Sequence, residues 1–153
     1  MPQKALIILK SIHHGNTRKV AEVMAGVLKA RIISPEEARK EDLKGYGLIG
    51  FGSGIYGGRH HREILSLAES LSGMRGKRAF IFCTSGAGEK AMEKHQSHLR
   101  SILTGKGIGI AGEFSCSGFV TWGPFRLVGG MRKGHPDEKD LDKAREFAKS
   151  IIK

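Results

Sequence analysis

Three short stretches concentrate residue types that bind phosphates and flat ligands. Each follows an apolar run: Ser11-Ile-His-His-Gly-Asn-Thr17, Gly52-Ser-Gly-Ile-Tyr-Gly-Gly58 and Cys83-Thr-Ser-Gly-Ala-Gly88. The first offers hydroxyls, backbone N–H groups and, if a helix begins there, the positive end of its dipole, a set that suits a phosphate. It lacks the Gly-Lys-Ser/Thr ending of a Walker loop and is not a dinucleotide G-x-G-x-x-G. A helix cap without any ligand is the other reading of Asn16-Thr17. In the second stretch Tyr56 sits among glycines, which let the backbone approach a ring closely while the phenol stacks on it. A plain loop with an exposed tyrosine is the alternative there. The third stretch is small, hydroxylated and open. The His13-His14 pair brings to mind a metal site or a base, but a phosphate turn needs neither, and His13 then adds one more donor while His14 faces solvent.

These stretches need strands and helices to hold them. Apolar runs of strand length occur at Ala5–Leu9, Leu48–Phe51, Ala79–Phe82 and Ile108–Phe114. Each is nearly continuous, as strands buried on both faces of a parallel sheet are. Arg31–Ser34 is shorter and more polar, which suits an edge strand. Between the runs, Val20, Val23, Met24, Val27 and Leu28 repeat at helical spacing, as do Ile64, Leu67, Ala68 and Leu71. Met92, His95, Leu99 and Ile102 form a third stripe, and Leu141, Ala144, Ala148 and Ile151 a fourth. Ser34-Pro-Glu-Glu37 reads as a capping box, and Asp137 with Asp140 marks the last helix start. The pattern predicts one three-layer, doubly wound α/β domain over residues 1–153. Its five-stranded parallel sheet has the order 2-1-3-4-5. All three chemical stretches then fall at the carboxyl ends of strands, where such sheets bind ligands.

The bulk numbers exclude several classes. No apolar stretch is long enough to span a bilayer, and the N-terminus lacks a signal-peptide pattern, so a cytoplasmic protein is expected. Cys83 and Cys116 are too few for a disulfide framework. A redox pair or metal site is conceivable from their neighbouring strand ends, with burial as ordinary small apolar residues the preferred reading. The net charge of +11 comes from 26 basic residues spread along the chain, with no nucleic-acid motif, so an acidic protein partner explains it better than nucleic acid. Many of the 22 glycines fall in tight groups (52 to 58, 86 to 88, 105 to 112 and 129 to 134), which points to turns and close backbone approach.

Taken together, the three strand-end stretches resemble the flavodoxin family in its short-chain form, over essentially the whole chain. The C-terminal Gly134-His-Pro-Asp-Glu-Lys-Asp-Leu141 is similar to the entry to that family's last helix. The resemblance implies a flavodoxin-like fold and an FMN cofactor. Ser11, His13, Gly15, Asn16 and Thr17 would hold its phosphate. Ser53, Gly54, Ile55, Tyr56 and Gly57 would form the second loop, Tyr56 stacking on the ring and the Gly57 carbonyl receiving the flavin N5 proton on reduction. Thr84, Ser85, Gly86, Ala87 and Gly88 would line the pyrimidine edge.

The chain departs from the family in its central histidines, its basic charge and the lack of a second stacking aromatic in the third loop. Phe119 or Trp122, in Ser117–Phe125, is the candidate substitute, and apolar packing of that segment is the alternative. His13, His14, Arg59, His60, His61 and Arg62 would form a basic rim around the flavin, favouring an acidic redox partner, or else a solvated surface. The expected role is electron transfer between redox partner proteins, with no acid–base residue needed. The rival on the same fold is an NAD(P)H-dependent flavin or quinone reductase. A phosphoacceptor receiver domain fits poorly, because strands 1 and 3 end in Lys10-Ser11 and Gly52-Ser53 in place of an acidic cluster.

Overall fold

Near-continuous apolar runs form the strands that cross the centre of the computed structural model, which describes residues 4–10, 16–56, 59–84, 92–116 and 138–152 (backbone alone at 16, 55, 56, 59, 92–95 and 116). The sheet comprises β1 (Ala5–Lys10), β2 (Arg31–Ile33), β3 (Leu48–Tyr56), the two-residue β4 (Arg59–His60), β5 (Arg78–Thr84) and β6 (Gly109–Cys116). The hydrogen-bonded order is β2-β1-β3-β5-β6, all parallel, with β4 antiparallel to β3. This is the expected 2-1-3-4-5 sheet, its fourth and fifth members being β5 and β6.

Helices α1 (Asn16–Leu28) and α5 (Glu138–Ile151) cover one face of the sheet, while α2 (Pro35–Ala38), α3 (Arg62–Ser70) and α4 (Met92–Gly105) cover the other. Alternation along each strand divides the core between the faces. Leu6, Ile8, Ile49, Phe51, Ala79 and Ile81 pack with Ile64, Leu67 and Leu99 from α3 and α4. Ile7, Leu9, Phe80, Phe82 and Phe114 pack with Val20, Met24, Ala144 and Ala148 from α1 and α5. The capping box of α2 forms in full: Glu37 N donates to Ser34 Oγ at 3.1 Å and Ser34 N donates to Glu37 Oε1 at 3.0 Å. Among the described residues no helix is long and apolar enough to cross a membrane.

Two features differ from the expectation. β3 does not stop at Phe51 but continues to Tyr56, so Gly52–Tyr56 is strand and not loop. It then turns back through β4, with Ile55 opposite His60 and Tyr56 opposite Arg59. The glycines of β3 also serve packing. Gly50 and Gly52 face Phe80 and Phe82 across the β3–β5 ladder, and a Cβ on either glycine would overlap the ring of its partner. The two rings, 5.9 Å apart and stacked, lie over bare backbone. At both glycines the group that approaches the backbone closely is a neighbouring side chain.

Candidate functional site at the carboxyl edge of the sheet

The apolar faces of the sheet give way to hydroxyl groups toward the carboxyl ends of β3 and β5. Thr84, the last residue of β5, stands opposite Gly54 of β3. Thr17 lies in the first turn of α1, and its Oγ1 is 2.8 Å from Thr84 Oγ1. Both side chains are buried. Each hydroxyl has one proton and two lone pairs, so whichever donates within the pair leaves the other's proton available to an acceptor. The link ties the start of α1 to the end of β5 across 67 residues of chain.

The charge of α1 is unusual for a helix start. α2, α3 and α5 carry acids in their first turns, Glu36 and Glu37, Glu63, and Glu138 and Asp140. α1 carries none and places exposed Arg18 and Lys19 there. Cations at a helix N-terminus add to the positive end of the dipole, which an anion relieves. Buried hydroxyls, a helix N-terminus and two flanking cations form a donor set that fits a phosphate monoester. Lys10, at the end of β1, is instead held by Glu63 of α3 at 2.8 Å, and this bond lowers the Glu63 carboxyl below the usual range.

On the opposite face of the sheet, Ser53 begins a chain of buried polar groups. Its Oγ accepts from His61 N at 2.9 Å and lies 2.7 Å from Gly54 O and 3.1 Å from His60 Nδ1. His60 Nε2 is 3.2 Å from Gln96 Oε1, and Gln96 Nε2 donates to Phe114 O at 3.3 Å. Ser53, His60 and Gln96 are each at most 1% exposed. His60 therefore does not belong to a basic rim: its register opposite Ile55 turns it to the same side of the hairpin as Ser53, under α4. Neighbouring His61 is half-buried and caps α3, Nδ1 accepting from Glu63 N at 3.0 Å. Burial lowers its pKa, with Lys10 and Arg62 adding to the effect and Glu63 opposing it.

Of the residues singled out in the sequence, the structure brings Thr17 and Thr84 into contact and places Gly54 beside them in the ladder. Asn16 opens α1, and Ile55 and Tyr56 end β3. Ser53 lies in β3 with its hydroxyl already engaged by its own hairpin. Ser11, His13, Gly15, Gly57, Ser85, Gly86, Ala87, Gly88, Phe119 and Trp122 lie outside the described residues. The buried His60–Gln96 contact was not anticipated from the sequence. The usable signal was Ile55-Tyr-Gly-Gly-Arg-His60, two glycines between strand residues, which is a two-residue hairpin pattern.

Cys83 is buried as a free thiol between Ser53 and Ser115 in the ladder. Burial pushes its pKa up to about 12, slightly offset by the Ser115 hydroxyl. That favours a packing role over redox or metal chemistry.

Comparison with known proteins bears on the family and the fold. The profile of the flavodoxin domain matches residues 6–109. An uncharacterized protein of Methanocaldococcus jannaschii is 47% identical over 150 residues, covering 98% of this chain and 99% of the relative. Oxidised Flavodoxin 2 from Bacillus cereus superposes with a TM-score of 0.71 at 19% identity, covering 97% of both chains. A flavodoxin from the domain Archaea does so at 0.70 and 16%, covering 97% of this chain and 96% of that one. The chain belongs to the flavodoxin family, a family of flavin-binding proteins.

Proposed function

We propose that this protein binds FMN at the carboxyl edge of its sheet and carries electrons between redox proteins in a reducing cytoplasm. The observation that carries the reading is the start of α1, where the Thr17–Thr84 hydroxyl pair meets a helix N-terminus flanked by Arg18 and Lys19 in place of acids. This favours the phosphate-bearing flavin over riboflavin. When bound, FMN supplies the electron-accepting ring, and the chain supplies the phosphate anchor and the wall formed by the β3–β4 hairpin. Exposed Arg18, Lys19 and Arg62 at the starts of α1 and α3 add positive potential at that edge. The partner's docking surface is accordingly acidic, and transfer slows as salt screens the pair.

The test is the absorption spectrum of the purified protein, followed by titration with FMN and with riboflavin. A flavin spectrum with FMN bound more tightly than riboflavin is expected. A colourless preparation that gains no flavin spectrum on incubation with FMN overturns the reading. Steady NAD(P)H oxidation by the purified protein alone would replace the carrier by a reductase. Transfer to a candidate partner that is indifferent to salt removes the acidic-partner element.

A further inference from the structure

A two-residue strand cannot hold itself in place, since two pairs of ladder residues give too few hydrogen bonds to fix a hairpin. Yet β4 pairs with β3 and packs on α4, and among the described side chains His60 joins it to α4. We propose that Ser53, His60 and Gln96 form a positioning strut that fixes the β3–β4 hairpin, and through it tunes the reduction potential of the flavin. The inference rests on the FMN reading above.

The direction of the bonds is determined from one end. The Phe114 carbonyl can only accept, so the nitrogen of the Gln96 amide faces it and the amide oxygen faces His60. That oxygen can only accept in turn, which requires a proton on His60 Nε2. In the neutral ring Nδ1 is then an acceptor, aimed at the Ser53 hydroxyl, whose single proton is shared between Nδ1 and Gly54 O. Ser53 Oγ also receives His61 N, the residue at which the chain leaves the hairpin for α3. The strut thus reaches from β6 and α4 to both ends of the hairpin. A buried polar chain whose members are all paired rigidifies one geometry, because any displacement leaves a desolvated group without its partner. Apolar side chains could fill the same space, but they would tolerate sliding. His60, Gln96 and Ser53 act as positioning residues: none is required to touch the cofactor.

The experiment uses Gln96→Met, which keeps the volume and removes both amide bonds, with His60→Phe as a second variant. In flavin-free wild-type protein, the nitrogen chemical shifts of His60 are expected to report Nε2 protonated and Nδ1 unprotonated. Amide hydrogen exchange at residues 54–61 is expected to accelerate at least tenfold in Gln96→Met, while the amides of Leu6–Leu9 are unchanged. With FMN bound, a tenfold change in the relative affinity for the two oxidation levels appears as a shift of about 59 mV in a one-electron midpoint potential. The double variant is expected to shift no further than the larger single one, since the strut acts as a unit. Unaltered hairpin exchange in Gln96→Met overturns the inference, as does altered exchange with a wild-type potential, which would make the chain merely structural. Failure of wild-type protein to take up FMN instead removes the reading beneath it.

Discussion

Thr17 and Thr84 join their hydroxyls at 2.8 Å, closing the gap between the first turn of α1 and the last residue of β5. A phosphate at this helix start therefore meets a hydroxyl pair that is already oriented, because each member restricts the other. Thr17→Ala and Thr84→Val should each weaken FMN by about tenfold, on the order of one hydrogen bond to a charged group. Riboflavin, which has no phosphate, should lose much less. The double variant should lose less than the sum of the two, as expected of residues in contact. Fluorescence titration of both flavins checks this, and equal losses for FMN and riboflavin would contradict the phosphate assignment.

Gly52 lies beneath the Phe82 ring, in space that a Cβ cannot share. Gly52→Ala should destabilise the protein by about 1–3 kcal/mol through overpacking. Combining it with Phe82→Leu should recover part of that loss. Urea midpoints of the three variants decide the matter, and an undisturbed Gly52→Ala would show that the ring yields freely.

His61 caps α3 through an unprotonated Nδ1, and burial lowers its pKa. The unfolded chain, with a histidine pKa near 6.5, takes up the proton first as pH falls. The stability contributed by the cap is therefore fully present above about pH 6.5 and is lost as pH drops through the lower native value. His61→Asn keeps a capping oxygen without a titrating ring. The stability of wild type relative to His61→Asn should fall between pH 7.5 and 5 in urea unfolding. Parallel curves would remove the cap from the pH response.

Cys83, with its pKa pushed up to about 12, exposes almost no thiolate in the native state. In a Cys116→Ser background, a thiol-specific disulfide reagent at pH 8 should leave the folded protein unmodified. It should label one thiol per chain in urea. Rapid labelling of the native protein would return Cys83 to the list of redox candidates.

Much of this arrangement could be read along the chain, because it depends on local or periodic signals. The buried strands β1 and β5 show as continuous apolar runs. The Ser34–Glu37 capping box depends on residues three apart, and it forms in full. Thr17 and Thr84 could each be assigned to a strand-end stretch, although their contact joins positions 67 apart and no local pattern encodes it. The glycines of β3 were ambiguous for a physical reason. A missing side chain shows that something comes close without showing what, and at Gly50 and Gly52 it is a phenylalanine ring. His60 was misplaced because its environment is set by Gln96, 36 residues later, and by the carbonyl of Phe114. A histidine between two charged or polar neighbours reads as surface until the hairpin register turns it inward.

The paired absence and excess of side chains on β3 and β5 also has a consequence for how this protein can diverge. On the α1–α5 face, Phe80 and Phe82 supply the volume that Gly50 and Gly52 omit, so neither strand carries a complete inheritance of its own. Drift at position 52 is closed until position 82 shrinks, and shrinkage at 82 leaves a void until 52 grows. Descendants of this chain should therefore change the two positions together, and sequences that keep a large aromatic at 82 should keep glycine at 52.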